Sequence, residues 1–201
     1  MPRAASTSTA RYGGGVNSPW LNLVAVFQKH VLSRYASERI MAYATLRPKV
    51  TQTFFESFTA VTNWDGATSY ATDGYVLPPQ GAMTKKNDGT LVAGVFAGYN
   101  NLPLSSGDHY LVEERGSDQI IVRQPLGANT SLTVRLLPGW TAATPLEAWA
   151  FDRNGRYLGK TPVVVSMGGA TFTYQQQLAG QPVAYYKIFS PFRVRLPAVL
   201  R

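Results

Sequence analysis

Residues 146–165 read LEAWAFDRNGRYLGKTPVVV, in which two runs with alternating apolar residues flank Asn154-Gly155. Alternation at every second residue is typical of a β-strand with one buried face. An Asn-Gly pair between two such runs favours the two-residue turn of a β-hairpin. This stretch therefore predicts two antiparallel strands joined by a tight turn.

The same pattern continues through residues 48–201, where turn sequences rich in Gly, Asn and Asp separate short apolar runs. Short strands with no helix between them predict an antiparallel β-sandwich or jelly roll. Residues 63–90 have little strand pattern, so we expect a long loop there. The predicted strands are Val50–Phe58, Leu91–Tyr99, Tyr110–Glu113, Gln119–Arg123, Ser131–Leu136, Leu146–Phe151, Tyr157–Val165, Thr171–Gln175, Val183–Ile188 and Phe192–Leu196.

One amphipathic helix is predicted before the β-body, over residues 18–47. Asn17 or Ser18 is a suitable N-cap, and Pro19 suits the first turn. Apolar residues then recur at spacings of three and four, which gives one apolar stripe. The pattern is interrupted at 37–39 and continues until Pro48. The stripe is expected to pack on the β-body or on a neighbouring copy, and it contains Trp20, Val24, Phe27, Val31, Tyr35, Ile40, Met41, Ala44 and Leu46.

Residues 1–17 form a predicted flexible basic arm. They are mostly Ala, Ser, Thr and Gly, with Arg3 and Arg11 and a run of three glycines at 13–15. Such a composition gives too little apolar surface for independent folding, so we expect this arm to become ordered only against a partner.

Positive charge is concentrated at the two ends of the chain. Residues 1–50 hold seven basic groups and one acidic group, for a net charge of +6, and residues 190–201 add three arginines. The total is +8, so the 139 residues between them have a net charge of −1. This distribution predicts basic ends that bind an anionic partner, either nucleic acid or lipid. The predicted binding residues are Arg3, Arg11, Lys29, Arg34, Arg39, Arg47, Lys49, Arg193, Arg195 and Arg201.

Motifs for catalysis, metals or cofactors are not found in the sequence, so we expect a non-enzymatic protein with no cofactor. There is no cysteine, and the two histidines, His30 and His109, have no second histidine near them in sequence. Most carboxylates lie in turn contexts, where Asp accepts backbone hydrogen bonds. Glu147, on a predicted strand beside Trp149, is the least turn-like candidate for the acid–base chemistry of a glycosidase.

Aromatic side chains in loops offer a second type of candidate site. Exposed rings form platforms in sugar-binding β-sandwiches, and the candidates here are Trp64, Tyr70, Tyr75 and Trp140. In its short alternating strands, the hairpin at 152–156 and the closing strand at 182–186, the region 110–188 resembles the terminal β-sandwich modules of extracellular bacterial hydrolases. That resemblance implies carbohydrate binding.

Two hypotheses follow for the function. The first is a structural virion protein of the phage capsid type, made in the host cytoplasm, whose architecture resembles that of viral jelly-roll proteins. It would assemble with copies of itself and other shell proteins, with its basic ends facing nucleic acid or lipid. It explains the basic arm, the single helix, the weakly charged β-body and an N-terminus without the apolar stretch of a signal peptide. The alternative is an extracellular carbohydrate-binding module, of the accessory or tail-fibre type, which explains the aromatic residues.

Overall fold

The computed structural model describes residues 19–96, 98–99, 102–103, 109–126, 130–166 and 168–191. Within these residues the protein is mainly β, with antiparallel sheets and one short α-helix, as the alternating pattern predicts. Helix α1 spans Pro19–His30, and a single 3-10 turn follows at Leu32–Arg34. The strands are β1 (Ile40–Arg47), β2 (Val50–Phe55), β3 (Phe58–Asn63), β4 (Tyr70–Thr72), β5 (Tyr75–Leu77), β6 (Ala82–Lys86), β7 (Leu91–Phe96), β8 (Gly98–Tyr99), β9 (Leu102–Pro103), β10 (His109–Arg115), β11 (Gln119–Leu126), β12 (Thr130–Val134), β13 (Glu147–Phe151), β14 (Tyr157–Thr161), β15 (Val163–Ser166), β16 (Gly169–Tyr174), β17 (Gln177–Leu178), β18 (Gln181–Pro182) and β19 (Tyr185–Phe189).

A ten-stranded antiparallel sheet organises the molecule. Its strand order is β1-β2-β3-β6-β7-β10-β11-β19-β13-β14, so β1 and β14 form its two edges. Three smaller sheets accompany it, with the orders β12-β16-β15, β4-β5-β8-β9 and β17-β18. Most neighbours in the large sheet are also neighbours in sequence, because short hairpins connect them.

The main hydrophobic core lies on one face of the large sheet. Val112 and Val122 point into it from the central strands, and Leu132 and Phe172 meet them from the three-stranded sheet. All four side chains are almost completely buried. Burial of apolar area on this scale is the main stabilising term in a domain of this size.

Helix α1 covers part of the opposite face. Val31, just beyond its last turn, is fully buried in a small cluster with Ala93, Val95 and Leu111, and Phe27 packs against that cluster. The apolar stripe of the helix is thus confirmed at Phe27 and Val31. The side chains of Trp20 and Val24 lie outside the described residues.

The predicted helix is too long, because α1 ends at His30 and Ile40–Arg47 forms strand β1. β1 is held by β2 through a turn at Pro48-Lys49, where Lys49 has a φ of 63°. Proline followed by a residue with positive φ is the arrangement of a type II turn. Pairing with β2 therefore decides the conformation of residues 40–47, and their apolar spacing does not.

The prediction of a long loop over 63–90 is also wrong. This region contains β4, β5 and β6, and β6 lies in the interior of the large sheet, between β3 and β7. Ala82, Met83 and Thr84 of β6 are all buried. Because both faces of this strand are covered, its sequence does not alternate between apolar and polar residues.

The hairpin around Asn154-Gly155 forms as predicted, but with a longer connection. β13 and β14 are joined by residues 152–156, in which one Asp152 carboxylate oxygen accepts hydrogen bonds from the backbone N–H groups of Asn154 and Arg156 at 2.8 Å each. Gly155 takes a φ of 80°. The predicted arm at 1–17 and the predicted strand Phe192–Leu196 lie outside the described residues.

Candidate assembly surface

Strand β1 presents the largest group of exposed apolar side chains on one described element. Ile40 is 62% exposed, Met41 56%, Tyr43 63% and Leu46 40%. No charged residue lies between Ile40 and Leu46. Several exposed apolar side chains grouped on one strand make β1 a candidate interaction surface.

The backbone of β1 is open to pairing as well. Among the described residues β1 pairs with β2 alone, so the hydrogen-bonding groups on its outer side have no strand partner there. Register shifts lie between Ile40 and Ala42 and between Thr45 and Arg47, and they leave Ala42–Thr45 as a regular central segment. An eight-residue apolar edge strand without an internal charge is a template for adding another strand.

Trp64 extends this surface at the turn end of β1. Its side chain is 64% exposed, and its indole Nε1 donates a hydrogen bond to Thr51 Oγ1 at 2.9 Å. Its backbone N–H bonds to the carbonyl of Lys49 at 2.7 Å. Both the backbone and the side chain of Trp64 are therefore hydrogen-bonded. These bonds fix the indole ring and lower the conformational entropy lost when a partner covers it.

The other predicted sugar-binding aromatics do not join Trp64 in a platform. Tyr75 and Trp140 are buried, at 2% and 5% exposure, and belong to the main core. Tyr70 is half-buried, and the Arg47 guanidinium lies 4.9 Å from its ring centroid. The prediction for Tyr75 and Trp140 is therefore wrong, because a position in a predicted loop or turn does not make a ring exposed.

Arg34 is one of the predicted anion-binding residues, and the structure places it in an internal ion-pair network instead. Its guanidinium pairs with Glu113, whose side chain is fully buried. Arg115 and Arg123 contact the same carboxylate at 2.8 and 3.2 Å. Three guanidinium groups thus share one carboxylate beneath the helix, and Arg34 attaches the 3-10 turn to the sheet.

His30 lies at the margin of this network. Burial, together with the positive charge of Arg123, lowers its pKa from 6.5 to about 4. The imidazole is therefore neutral at pH 7, and its structural role is to pack at the end of the helix.

The remaining described cations have different surroundings. Arg39 pairs loosely with Glu56 at 3.5 Å, and both side chains are more than half exposed. Arg47 donates to the carbonyl of Ser69 at 2.9 Å. Lys29 and Lys49 are exposed. Five of the predicted anion-binding residues lie outside the described residues: Arg3, Arg11, Arg193, Arg195 and Arg201.

A second buried carboxylate, which sequence reasoning missed as a structural element, lies beside Glu113. Glu114 points to the opposite face of β10, where Arg135 donates to it through Nε at 2.6 Å, and the Tyr75 hydroxyl lies 3.4 Å away. Each face of β10 therefore has its own ion pair. Two adjacent glutamates directly after the apolar run Tyr110–Val112 are the signal that could have revealed them.

Aromatic side chains also follow the end of the large sheet opposite to β1. Trp149 is 5.0 Å from Tyr157 and 5.0 Å from Phe189 between ring centroids, and Phe151 stacks on Tyr185. These rings pack largely on one another, in the edge-to-face and stacked arrangements that aromatic pairs prefer. They form a side-by-side cluster, unlike the flat platform on which a sugar ring stacks.

Glu147, the candidate acid–base residue, is bound by its neighbours in this cluster. It accepts from Trp149 Nε1 at 2.6 Å and pairs with Lys160 at 3.0 Å. These contacts hold the pKa of Glu147 below its ordinary value. A general acid needs the opposite shift, so this environment does not suit that role.

Comparison with known proteins finds no match among family models, curated proteins or solved structures. Within the described part of the chain, no helix combines the length and the hydropathy that crossing a membrane requires. The same residues contain no group of three or more histidine or carboxylate side chains placed to hold a metal ion.

Proposed function

We propose that this chain is a non-enzymatic structural protein of a virion-type shell, of the phage capsid kind, which assembles with copies of itself and with other shell proteins. One observation carries the proposal, namely the open apolar edge of the large sheet at β1. A free edge of this length with uncharged, exposed side chains favours aggregation in an isolated protein. The same edge becomes buried in a protein that works in an assembly.

The β-body would be the wall of the shell. We propose that the large sheet and the three-stranded sheet that shares its core form a jelly-roll-like sandwich. Two antiparallel layers around one core give a rigid unit for a tiling, because neither layer depends on a neighbouring copy for its own folding.

The basic ends would face nucleic acid or lipid inside the particle. Among the described members of the predicted anion-binding set, Lys29, Arg39 and Lys49 are exposed, whereas Arg34 is bound to a buried carboxylate. The partner contacts would therefore fall mainly to the terminal arginines, and binding would weaken steeply with salt.

A carbohydrate-binding module, extracellular or on a tail fibre, is the alternative. Trp64 favours it, because its ring is 64% exposed and fixed by two hydrogen bonds. A single ring gives less binding energy than the pair or row of rings that a sugar chain can span. The structural proposal accounts for Trp64 as well, as part of the apolar surface next to β1.

Sedimentation velocity at several micromolar concentrations tests the proposal. The wild-type chain is expected to form species larger than one chain, whereas Tyr43→Lys is expected to shift the distribution to single chains because it places a charge on the open edge. The matched control is Tyr157→Lys, which makes the same change at 47% exposure on the opposite edge strand. A wild-type protein that remains a single chain, or that responds equally to both substitutions, contradicts the proposal.

A further inference from the structure

The uncharged run in β1 has a symmetric layout. It extends from Ile40 to Leu46, seven residues with Tyr43 at the centre, and is flanked by Arg39 and Arg47. When two-fold symmetry joins two antiparallel edge strands into one sheet, the symmetry axis is perpendicular to the sheet. The side chains of directly opposed residues then lie on the same face of the sheet. The residue on the axis then lies opposite the same residue of the second copy.

The charges near the two ends of β1 select the direction of pairing. Glu38 and Glu56 lie near its beginning, where Arg39 contacts Glu56, so this end has a net charge of −1. Arg47 and Lys49 lie at its other end together with Asp65, which interacts electrostatically with Lys49, so this end has a net charge of +1. Parallel pairing of two copies would bring the two basic ends together, whereas antiparallel pairing brings each basic end to an acidic end.

We propose that two copies of this chain join β1 to β1 in antiparallel fashion, about a two-fold axis at Tyr43, to form one continuous sheet of twice ten strands. This inference rests on the proposed function and adds the partner, the direction and the register of the contact. Around the axis, Ala42 of each copy lies opposite Ala44 of the other. Side chains alternate along this regular segment, so these alanines lie on one face of the sheet and the two Tyr43 rings pack together on the other.

The β1 contact also satisfies the backbone of both copies at once. Each copy supplies the outer backbone groups of β1, which have no strand partner among the described residues, and an antiparallel ladder joins them without moving the other strands of the sheet. Because the contact uses the same surface twice, it closes after two copies. Contacts elsewhere would join such pairs into a larger shell.

A single introduced cysteine tests this geometry, because the chain contains no cysteine of its own. In Tyr43→Cys the two thiols lie opposite each other in the pair, within the Cα separation that a disulfide spans. We expect mild oxidation at micromolar concentration to give a disulfide-linked dimer about a hundredfold faster than random encounter, since the paired thiols are at millimolar effective concentration. The matched control is Tyr157→Cys on β14. Lys49→Cys tests for parallel pairing, in which the turn ends of the two β1 strands would meet.

Dimer formation by Tyr43→Cys alone, followed on non-reducing gels and by intact mass, supports the inference. Equal rates for Tyr43→Cys and Tyr157→Cys, or rapid linking of Lys49→Cys, overturn it. The sedimentation experiment separates this failure from failure of the proposed function. If the wild type associates through the edge but Tyr43→Cys does not link, only the two-fold pairing is wrong. If the wild type remains a single chain at the concentrations used, both proposals are wrong.

Discussion

The two edges of the ten-stranded sheet differ in length, in charge within the strand and in the number of exposed apolar side chains. β14 has five residues, carries Lys160 within the strand and is followed by Pro162. It also has a register shift against β13 beside Gly159, and Leu178 lies close to that glycine. β1 has eight residues, no internal charge and four exposed apolar side chains.

Short length, lysine, proline and bulges are the means by which proteins protect an edge from other chains. β14 has all four, whereas β1 shares the register shifts and the following proline, Pro48, but is longer and contains no lysine. The difference shows that open edges are not a general property of this sheet. Under the proposed function, the β1 edge is the one that binds a partner, and substitutions at the two edges should then differ in their effects.

The largest expected effect on stability is at the centre of the sheet, away from both edges. Glu113→Gln removes the charge that three arginines share in a buried site, and we expect it to lower the free energy of unfolding by about 3 kcal/mol. Glu147→Gln, at a partly exposed carboxylate on β13, is the control and should cost much less. Urea denaturation measures both. Equal costs would mean that the network beneath the helix contributes nothing beyond a surface pair.

Gly159 tests the protection of β14. Its φ is +151°, and a Cβ there would lie 2.8 Å from Leu178 Cδ2, so Gly159→Ala is expected to cost about 1–3 kcal/mol of stability. Gly89→Ala is the matched control, because Gly89 also has positive φ but a Cβ added to it would meet no atom within 4 Å. It should cost less when both are measured by urea denaturation. A larger cost at Gly89 would show that Leu178 does not pack against β14.

Met41 tests the open edge with a smaller change. Met41→Lys is expected to weaken association about tenfold, or about 1.4 kcal/mol, because it replaces apolar surface at the contact by a charge. Val164 on β15 is 67% exposed but lies in the three-stranded sheet, so Val164→Lys should leave association unchanged. Dissociation constants from sedimentation equilibrium decide the comparison, and equal weakening by both would remove the special role of β1.

The smallest expected effect uses pH to separate folding from association. His30 has a pKa near 4 in the folded protein and near 6.5 when unfolded, so the unfolded chain binds more protons between these values. Stability should therefore fall as pH is lowered from 6.5 to 4, by about 1 kcal/mol from this partly exposed group. His30→Gln should flatten that part of the profile. Ile40 and Met41 have no ionisable group, so association of folded chains through this edge should not follow the His30 profile.

Strands that alternate between a buried and an exposed face were predictable from sequence, whereas the fully buried β6 and the edge strand β1 were not. A strand such as β13 alternates because one face is buried, so its pattern reports its environment directly. β1 is exposed along most of its length, and its apolar residues at 40, 41, 44 and 46 imitate the spacing of a helix. Only the Pro48-Lys49 turn, which allows pairing with β2, indicates the correct structure.

The candidate site was hidden for the same reason. The apolar spacing of β1 predicts one face of a helix, and Tyr43 does not lie on that face. The Arg34–Glu113 pair was likewise invisible, because it joins residues 79 apart in sequence. Contacts over such separations depend on sheet order, which alternation alone does not determine.

Hydrogen exchange at two protein concentrations tests the central claim most directly, because it compares both edges in the unmodified chain. Peptides covering β1 and β14 are followed by mass spectrometry at a low and a high micromolar concentration, and exchange slows only where backbone N–H groups become paired. The account predicts slower exchange of β1 at the higher concentration, with β14 unchanged. Concentration-independent exchange of β1, or protection of β14 in its place, would contradict it.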